Sequence, residues 1–205
     1  MNASGYEGGS CDYGRISHFS VIAKNARHIQ KAVNFARKHN IRLAIKNTGH
    51  DGSRSAAPDS LQILTNRLKD ISFDEHFRPF GGPRKVDYGP VVNFGAGVMG
   101  GELYKAGAAH GYSIVGGECS TVGTAGGYIQ GGGFSPALSP MRGLGVDQVV
   151  EMEVVTANVG ANSMLLVTFA YNNRVTLSLP TNSTTRISSG HFVAEEAGSS
   201  ALSRV

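Results

Sequence analysis

Apolar and polar positions along the chain switch between two periods. His18–Ala23 (HFSVIA) is a short apolar run and predicts a buried strand. Asn25 follows as an N-cap. Over Ala26–His39 the apolar Ile29, Ala32, Val33 and Ala36 recur at helical spacing, while Arg27, Lys31, Arg37 and Lys38 can face solvent. Arg42–Lys46 (RLAIK) returns to strand, so strand, helix and strand together predict a right-handed βαβ unit. Leu61–Leu64 is a further strand, and Arg78–Tyr88 is a loop rich in glycine, proline and charge. Val91–Gly95 predicts another strand leading into a small helix around Glu102–Ala109, then a strand at Tyr112–Val115. Val149–Thr156 (VVEMEVVT) has the composition of a central strand. The plan is α+β or α/β, with glycine loops after strands.

Past Asn158 the pattern changes. Val159–Val205 holds strand-like pieces at Met164–Phe169 and Arg174–Leu179 among much Ser, Thr and Asn, without the earlier helix–strand alternation. The expected division is therefore a domain over 11–158 and a divergent, poorly ordered tail over 159–205.

Composition sharpens this picture at one point. Glycine makes up 28 of 205 residues, against an average of about 7%. Hydrophobic residues reach 40% and no G-x-y period is present, which excludes a collagen-like chain and argues against low-complexity disorder. Fourteen of the glycines lie between Gly95 and Gly133, so backbone there must come close to something. The net charge of +4 is spread along the chain rather than striped, which suits anionic small ligands better than nucleic acid. No apolar run approaches the roughly 20 residues of a membrane span, and the polar opening Met1–Ser10 is not a signal peptide. The compartment stays open. Cys11 and Cys119 are too far apart in sequence for a metal or redox motif, although they could pair.

Two stretches can carry chemistry. Asn47-Thr48-Gly49-His50-Asp51-Gly52-Ser53 closes the second strand of the βαβ unit, where ligands of open α/β sheets gather and free amides can hold an anion. His50 in its middle is either an attachment point or a solvent-exposed turn histidine. The second stretch is Gly116–Gly133 (GGECSTVGTAGGYIQGGG), neither a phosphate-binding P-loop nor a dinucleotide fingerprint. Its ribbon of small residues can lie flat against a planar or phosphorylated ligand. Cys119 is its reactive group, or else a small buried hydrophobe. No G-x-S-x-G elbow supports a hydrolase, and His18, His28 and His39 do not share a face as metal ligands would.

Three motifs, KNTGHDGSRS (Lys46–Ser55), FGAGVMGGELYKAGAAHGYSIVGGECSTVGTAGGYIQGGGFSP (Phe94–Pro136) and GLGVDQVVEMEVVTAN (Gly143–Asn158), occur in order. With them the chain resembles FAD-linked oxidases of the berberine-bridge-enzyme-like branch of the vanillyl-alcohol-oxidase superfamily, fungal members above all, over about Cys11–Asn158. The resemblance implies a PCMH-type FAD-binding domain of two α/β subdomains, followed by a substrate domain. It implies bicovalent FAD, with His50 bonded to the flavin 8α-methyl and Cys119 to flavin C6. The loop Asn47–Ser53 and the residues Gly117, Ser120, Thr121, Val122, Gly123, Gly126 and Gly127 would approach the pyrophosphate and isoalloxazine. Gly131, Gly132, Gly133, Asp147 and Val154 would lie around the adenosine and ribitol. The implied activity is hydride abstraction from a small organic substrate with reoxidation by O₂, without nucleic-acid or membrane partners. A non-catalytic flavin-binding or vestigial product is the alternative. Relatives of this kind are often secreted. Ser120 departs from the usual proline, and Phe134 from a common histidine.

The family would continue into Trp-Ala-Leu-Arg, a glycine run and Phe-Gly-Val-Val-Thr, yet the chain has no tryptophan. Reverse translation of Arg186–Val205, shifted one nucleotide toward the 5′ side, gives access to Asp-Leu-Phe-Trp-Ala-Leu-Arg-Gly-Gly-Gly-Gly-Gly-Lys-Phe-Gly-Val-Val-Thr, eighteen consecutive residues of that motif. The expectation is that the tail is this family's domain read out of frame and that the chain lacks the substrate domain. A nucleotide sequence that does not encode the glycine run in the shifted frame refutes it.

Overall fold

A computed structural model describes residues 14–51, 55–79 and 86–155, together with the backbone of three further strands at 168–171, 177–178 and 186–187. In chain order the elements are β1 (Phe19–Ile22), α1 (Ala26–Lys38), β2 (Arg42–Lys46), β3 (Ser60–Leu64), β4 (Ile71–Asp74), β5 (Val91–Gly95), α2 (Gly100–Ala109), α3 (Ser139–Arg142), β6 (Val149–Met152), β7 (Thr168–Tyr171), β8 (Leu177–Ser178) and β9 (Arg186–Ile187).

The helix α1 forms where its signals place it. The Asn25 side chain accepts the His28 N–H at 3.1 Å, Arg37 and Lys38 complement the dipole in the last turn, and Ala26, Ala32, Val33 and Ala36 are buried. It stops at a left-handed Asn40, φ 51°, after which the Ile41 N–H returns to Ala36 O at 2.8 Å. That is the 6→1 bond of a Schellman terminus.

β1, β2 and β3 form a parallel sheet in the order β1-β3-β2. The expected βαβ unit therefore spans one strand position, and β3 takes the gap. Burial explains the order: Gln62 and Ile63 of β3 are buried, whereas Phe19 and Ile22 of β1 are 75% and 52% exposed. The expected burial of His18–Ala23 is corrected accordingly, because β1 is an edge strand that buries Ala23 at its end.

A second, antiparallel sheet has the order β4-β5-β7-β6. β5 is buried on both faces through Val91, Val92 and Phe94. β4 gave no sequence signal beyond the alternation of Ile71 and Phe73. β6 is shorter than the expected Val149–Thr156 and lies at the sheet's edge rather than its centre. Its apolar composition answers to two separate clusters, Val149 packing toward Phe94 and Leu103 and Val150 toward Val91. Tyr112–Val115 is not a strand. Its Ile114 and Val115 are buried, but the Tyr112 N–H is spent on Gly107 O at 2.9 Å in ending α2. The larger core gathers Phe94, Val98, Leu103, Val115, Ile129 and Val149; the smaller gathers Ala23, Ala32, Val33 and Ile63, with Ile29 touching both.

Of the tail expected to be disordered, β7, β8 and β9 are described as backbone. The rest of 159–205, Cys11, and part of the loop Arg78–Tyr88 lie outside the described residues. Among the described residues no helix is long and apolar enough to cross a membrane.

Candidate functional site

Because β2 and β3 are parallel and Lys46 pairs with Leu64, the segments following them leave the sheet side by side at its carboxyl edge. The Thr65 N–H donates to Lys46 O at 2.9 Å and locks this divergence. Beyond it opens a cavity of about 560 Å³, lined by Lys46, Asn47, Thr48 and His50 from one segment and Asn66, Arg67 and Lys69 from the other, with Met99 and Thr121 completing the lining. A cavity of about 490 Å³ at the other end of β2, lined by Arg15 and Arg42 among others, sits at the strands' amino edge.

The loop after β2 is shaped by two residues. Gly49 has φ +87°, a region other residues avoid, and a Cβ there would stand 2.9 Å from Lys46 Cε. Asn47 is clamped between the loop and the glycine ribbon. Its Nδ2 donates to Ala96 O, its Oδ1 is buried without a partner, and its amide leaves no room for a Cβ on Gly123 or Gly126. Thr48 Oγ1 accepts the Gly123 N–H at 3.1 Å. Asp51 is turned away and accepts the Ser55 hydroxyl at 2.7 Å. Gly52 and Ser53 lie outside the described residues.

The ribbon Gly116–Gly133 is fixed by the N-terminus of α2. Gly100 N–H donates to Val122 O at 2.9 Å, Gly101 N–H to Ser120 O at 2.8 Å, and Thr124 N–H to Val98 O at 3.2 Å. These helix amides are therefore used inside the chain and do not serve an anion. Two tyrosines brace the rest. Tyr104 Oη donates to Gly117 O at 2.6 Å, and Tyr128 Oη to Phe134 O at 3.0 Å. Burial raises the Tyr104 hydroxyl above its usual value; burial, with Tyr104 nearby, pushes Tyr128 up to about 12. Both stay protonated donors at neutral pH.

At the cavity mouth the two reactive residues meet one hydroxyl. His50 Nε2 lies 2.8 Å and Cys119 Sγ 3.6 Å from Thr121 Oγ1, and all three residues are exposed. The clamp at Asn47 brings them together from loops far apart in sequence.

The other expected residues fall into two groups. Gly126, Gly127 and Gly131 continue the ribbon, and nothing would meet a Cβ on Gly127. Gly132 and Gly133 make a left-handed pair, φ +95° and +77°, whose carbonyls accept Val146 N–H at 3.0 Å and Gly145 N–H at 2.6 Å. A Cβ on Gly133 would strike the Tyr128 ring at 2.7 Å. Asp147 Oδ2 accepts the Leu144 N–H at 2.8 Å, which shapes that turn, and Val154 is half-buried just after β6.

Sequence reasoning missed the far wall, Asn66, Arg67 and Lys69. The polar run after β3 is visible in the sequence, but the parallel pairing that sets it beside the loop after β2 is not. Lys69 Nζ is 2.6 Å from Glu102 Oε2, which also accepts the Met99 N–H at 2.8 Å. Burial would raise the Glu102 carboxyl, but the bonds from Lys69 and Met99 outweigh it and hold it below its usual value. Lys46 and Arg67 add two cations without a carboxylate in the lining, so the cavity favours an anion. Among the described residues, no cluster of three or more His, Cys, Asp or Glu is placed to hold a metal.

Comparison with known proteins gives the context. Residues 18–161 match the family model described as FAD binding domain. The FAD-linked oxidoreductase notD of Aspergillus sp. (strain MF297-2) is 56% identical over 151 residues, covering 72% of this chain and 24% of that protein. The FAD-linked oxidoreductase easE of Arthroderma benhamiae is 53% identical over 150 residues, 73% of this chain and 30% of that protein. Among solved structures, a VAO-type flavoprotein from Myceliophthora thermophila C1, determined at pH 5.0, superposes with a TM-score of 0.64 at 32% identity, covering 76% of this chain and 32% of its own. A BBE-like protein from Arabidopsis thaliana shares the fold, with a TM-score of 0.59 at 19% identity over 75% of this chain and 34% of its own. The chain thus spans 24% and 30% of the length of these two curated relatives.

Proposed function

The chain belongs to the FAD binding domain family, and from that premise we propose that it is the cofactor-holding part of an FAD-linked oxidoreductase that tethers the flavin through His50 and Cys119. Its architecture is the α+β, PCMH-type FAD-binding fold. The observation that carries the tether is the convergence of His50 and Cys119 on the Thr121 hydroxyl at the rim of a cationic cavity.

The residues present fit such a cofactor on three counts. Lys46 and Arg67 suit a pyrophosphate. The exposed ribbon at Gly127 and Gly131 lets a flat ring approach the backbone. The two exposed nucleophiles have side chains short enough to be held in place by the loops that carry them. In this assignment Asn47 and Thr48 hold the two loops at fixed separation, and Tyr104 and Tyr128 keep the ribbon from collapsing inward. Ser120, Val122 and Gly123 extend the second loop, Gly132, Gly133, Asp147 and Val154 the adenosine side, and Gly52 and Ser53 join the assignment from the sequence alone. FAD supplies two-electron hydride chemistry there, with a small organic substrate as donor and O₂ as the acceptor, reduced to hydrogen peroxide. The chain's own contribution is binding and orientation.

The test is retention of FAD on gel filtration. The purified chain should co-elute with the 450 nm absorbance, and in the His50→Ala/Cys119→Ala background, where no covalent bond can form, Arg67→Glu should weaken retention about tenfold or more by replacing attraction with repulsion of the pyrophosphate. Elution of colourless wild-type chain from excess FAD refutes the reading.

A further inference from the structure

Thr121 occupies a position that a structural role alone does not account for. Its side chain is exposed, packs no core, and offers one hydroxyl to two titratable groups: His50 Nε2 at 2.8 Å and Cys119 Sγ at 3.6 Å. A hydroxyl has a single proton to donate. Whatever Thr121 gives to one neighbour it withholds from the other. We propose that Thr121 is a positioning residue that couples the proton on His50 to the ionisation of Cys119, deciding which imidazole nitrogen is free to act. The inference rests on the reading of His50 and Cys119 as flavin anchors, and deepens it.

The coupling follows from donor and acceptor arithmetic. When Cys119 is a thiol, its S–H donates to Thr121 Oγ1, the Thr121 O–H donates to His50 Nε2, and the imidazole proton resides on Nδ1. When Cys119 loses its proton to water, the thiolate is an acceptor only, and a charge-assisted bond turns the Thr121 O–H toward sulfur. Thr121 Oγ1 then accepts from His50, whose proton moves by exchange with water from Nδ1 to Nε2. The balance is one proton released to solvent from sulfur and one relocated within the imidazole. No electrons move. Nδ1 is left with a bare lone pair at the moment the thiolate forms, so both anchors become nucleophilic together.

Charged side chains stand on the neighbouring segments. Glu118 adjoins Cys119 and Asp51 adjoins His50, with Asp51 already accepting from Ser55. Lys46 and Arg67 line the cavity that His50 and Thr121 also line, and Lys69 is paired with Glu102. Within hydrogen-bond distance of both anchors stands Thr121.

The experiment uses the full 205-residue chain without flavin, labelled with ¹⁵N-histidine, as wild type, Thr121→Val and Thr121→Ser. Two-bond ¹⁵N–¹H correlations report the His50 tautomer. Iodoacetamide alkylation of the Cys119 peptide, resolved from the Cys11 peptide by mass spectrometry, reports when the thiolate is present. Wild type and Thr121→Ser should pass from Nδ1–H to Nε2–H as the thiolate appears, whereas Thr121→Val should show no such linked change. A tautomer response in Thr121→Val matching wild type overturns the coupling. With FAD added in air, so that O₂ reoxidises the flavin left reduced by each attachment and is itself reduced to hydrogen peroxide, acid-stable flavin should form about tenfold more slowly in Thr121→Val, as expected for losing one hydrogen bond, and at the wild-type rate in Thr121→Ser. Equal rates in Thr121→Val and wild type also overturn it. Acid-stable flavin persisting in the double variant His50→Ala/Cys119→Ala instead refutes the anchoring reading, and the flavin-free tautomer measurement keeps the two failures distinct.

Discussion

Gly123→Ala gives the sharpest view of how the site is held. At φ −72°, ψ 113°, Gly123 has a backbone that alanine adopts freely, so only the added methyl matters. That methyl would stand 2.6 Å from Asn47 Oδ1 and 2.7 Å from both Cγ and Nδ2. Unstrained carbon contacts are about 3.5–4.0 Å, so the amide must move by roughly 1 Å. A free side chain would yield at little cost, but Asn47 is bonded to Ala96 O, and Gly126 lies so near on another side that a Cβ there would come within 2.9 Å of Nδ2. Overpacking costs about 1–3 kcal/mol, and losing the Ala96 hydrogen bond about 0.5–1.5 kcal/mol more. The expected loss is therefore about 2–4 kcal/mol, a fall in Tm of about 5–15 °C for a chain of this size. The assay is urea denaturation of wild type, Gly123→Ala, Asn47→Ala and the double variant. The three atoms nearest that methyl all belong to the Asn47 amide, so Gly123→Ala in the Asn47→Ala background should cost less than about 1 kcal/mol. An equal cost in both backgrounds would refute the clamp.

Two further predictions concern pH. The Tyr128 hydroxyl is raised to about 12 in the folded chain against about 10 when unfolded, so its contribution to stability is complete below about pH 10 and is lost as pH rises toward 12. Tyr128→Phe should flatten that alkaline limb in thermal melts while costing about 1 kcal/mol at neutral pH through the lost bond to Phe134 O. Glu102 runs the other way. Its lowered carboxyl stabilises the fold above its ordinary value of 4.5, and that stability is lost as pH falls through the lower folded value. Because Lys69 and Glu102 are 38% and 40% exposed, Glu102→Gln should remove less than about 1 kcal/mol, seen as a shallower acid limb in denaturation midpoints against pH.

The parts of this molecule governed by local signals were legible in the sequence. Asn25, the apolar stripe and the basic last turn located α1 to within one residue, and RLAIK located β2 with the site loop at its end. Long-range order was not legible. Nothing local to β1 or β2 says that β3 inserts between them; that depends on Ile63 and Gln62 being buried from both sides. The segment Tyr112–Val115 has strand composition, but its side chains are used for packing and its first amide for ending α2. The site was half visible. Each motif announced itself through glycine and a reactive residue, and the resemblance linked them. The contact at Thr121 and the cationic wall of Arg67 and Lys69 arise from two loops meeting in space, which no spacing within either loop encodes.

Tethering of FAD by both His50 and Cys119 is tested most directly by acid precipitation of the chain after incubation with FAD. Flavin absorbance is expected in the washed pellet of wild type, retained in part by His50→Ala and by Cys119→Ala and absent from the double variant. A colourless wild-type pellet, or a coloured one from the double variant, would overturn the double tether.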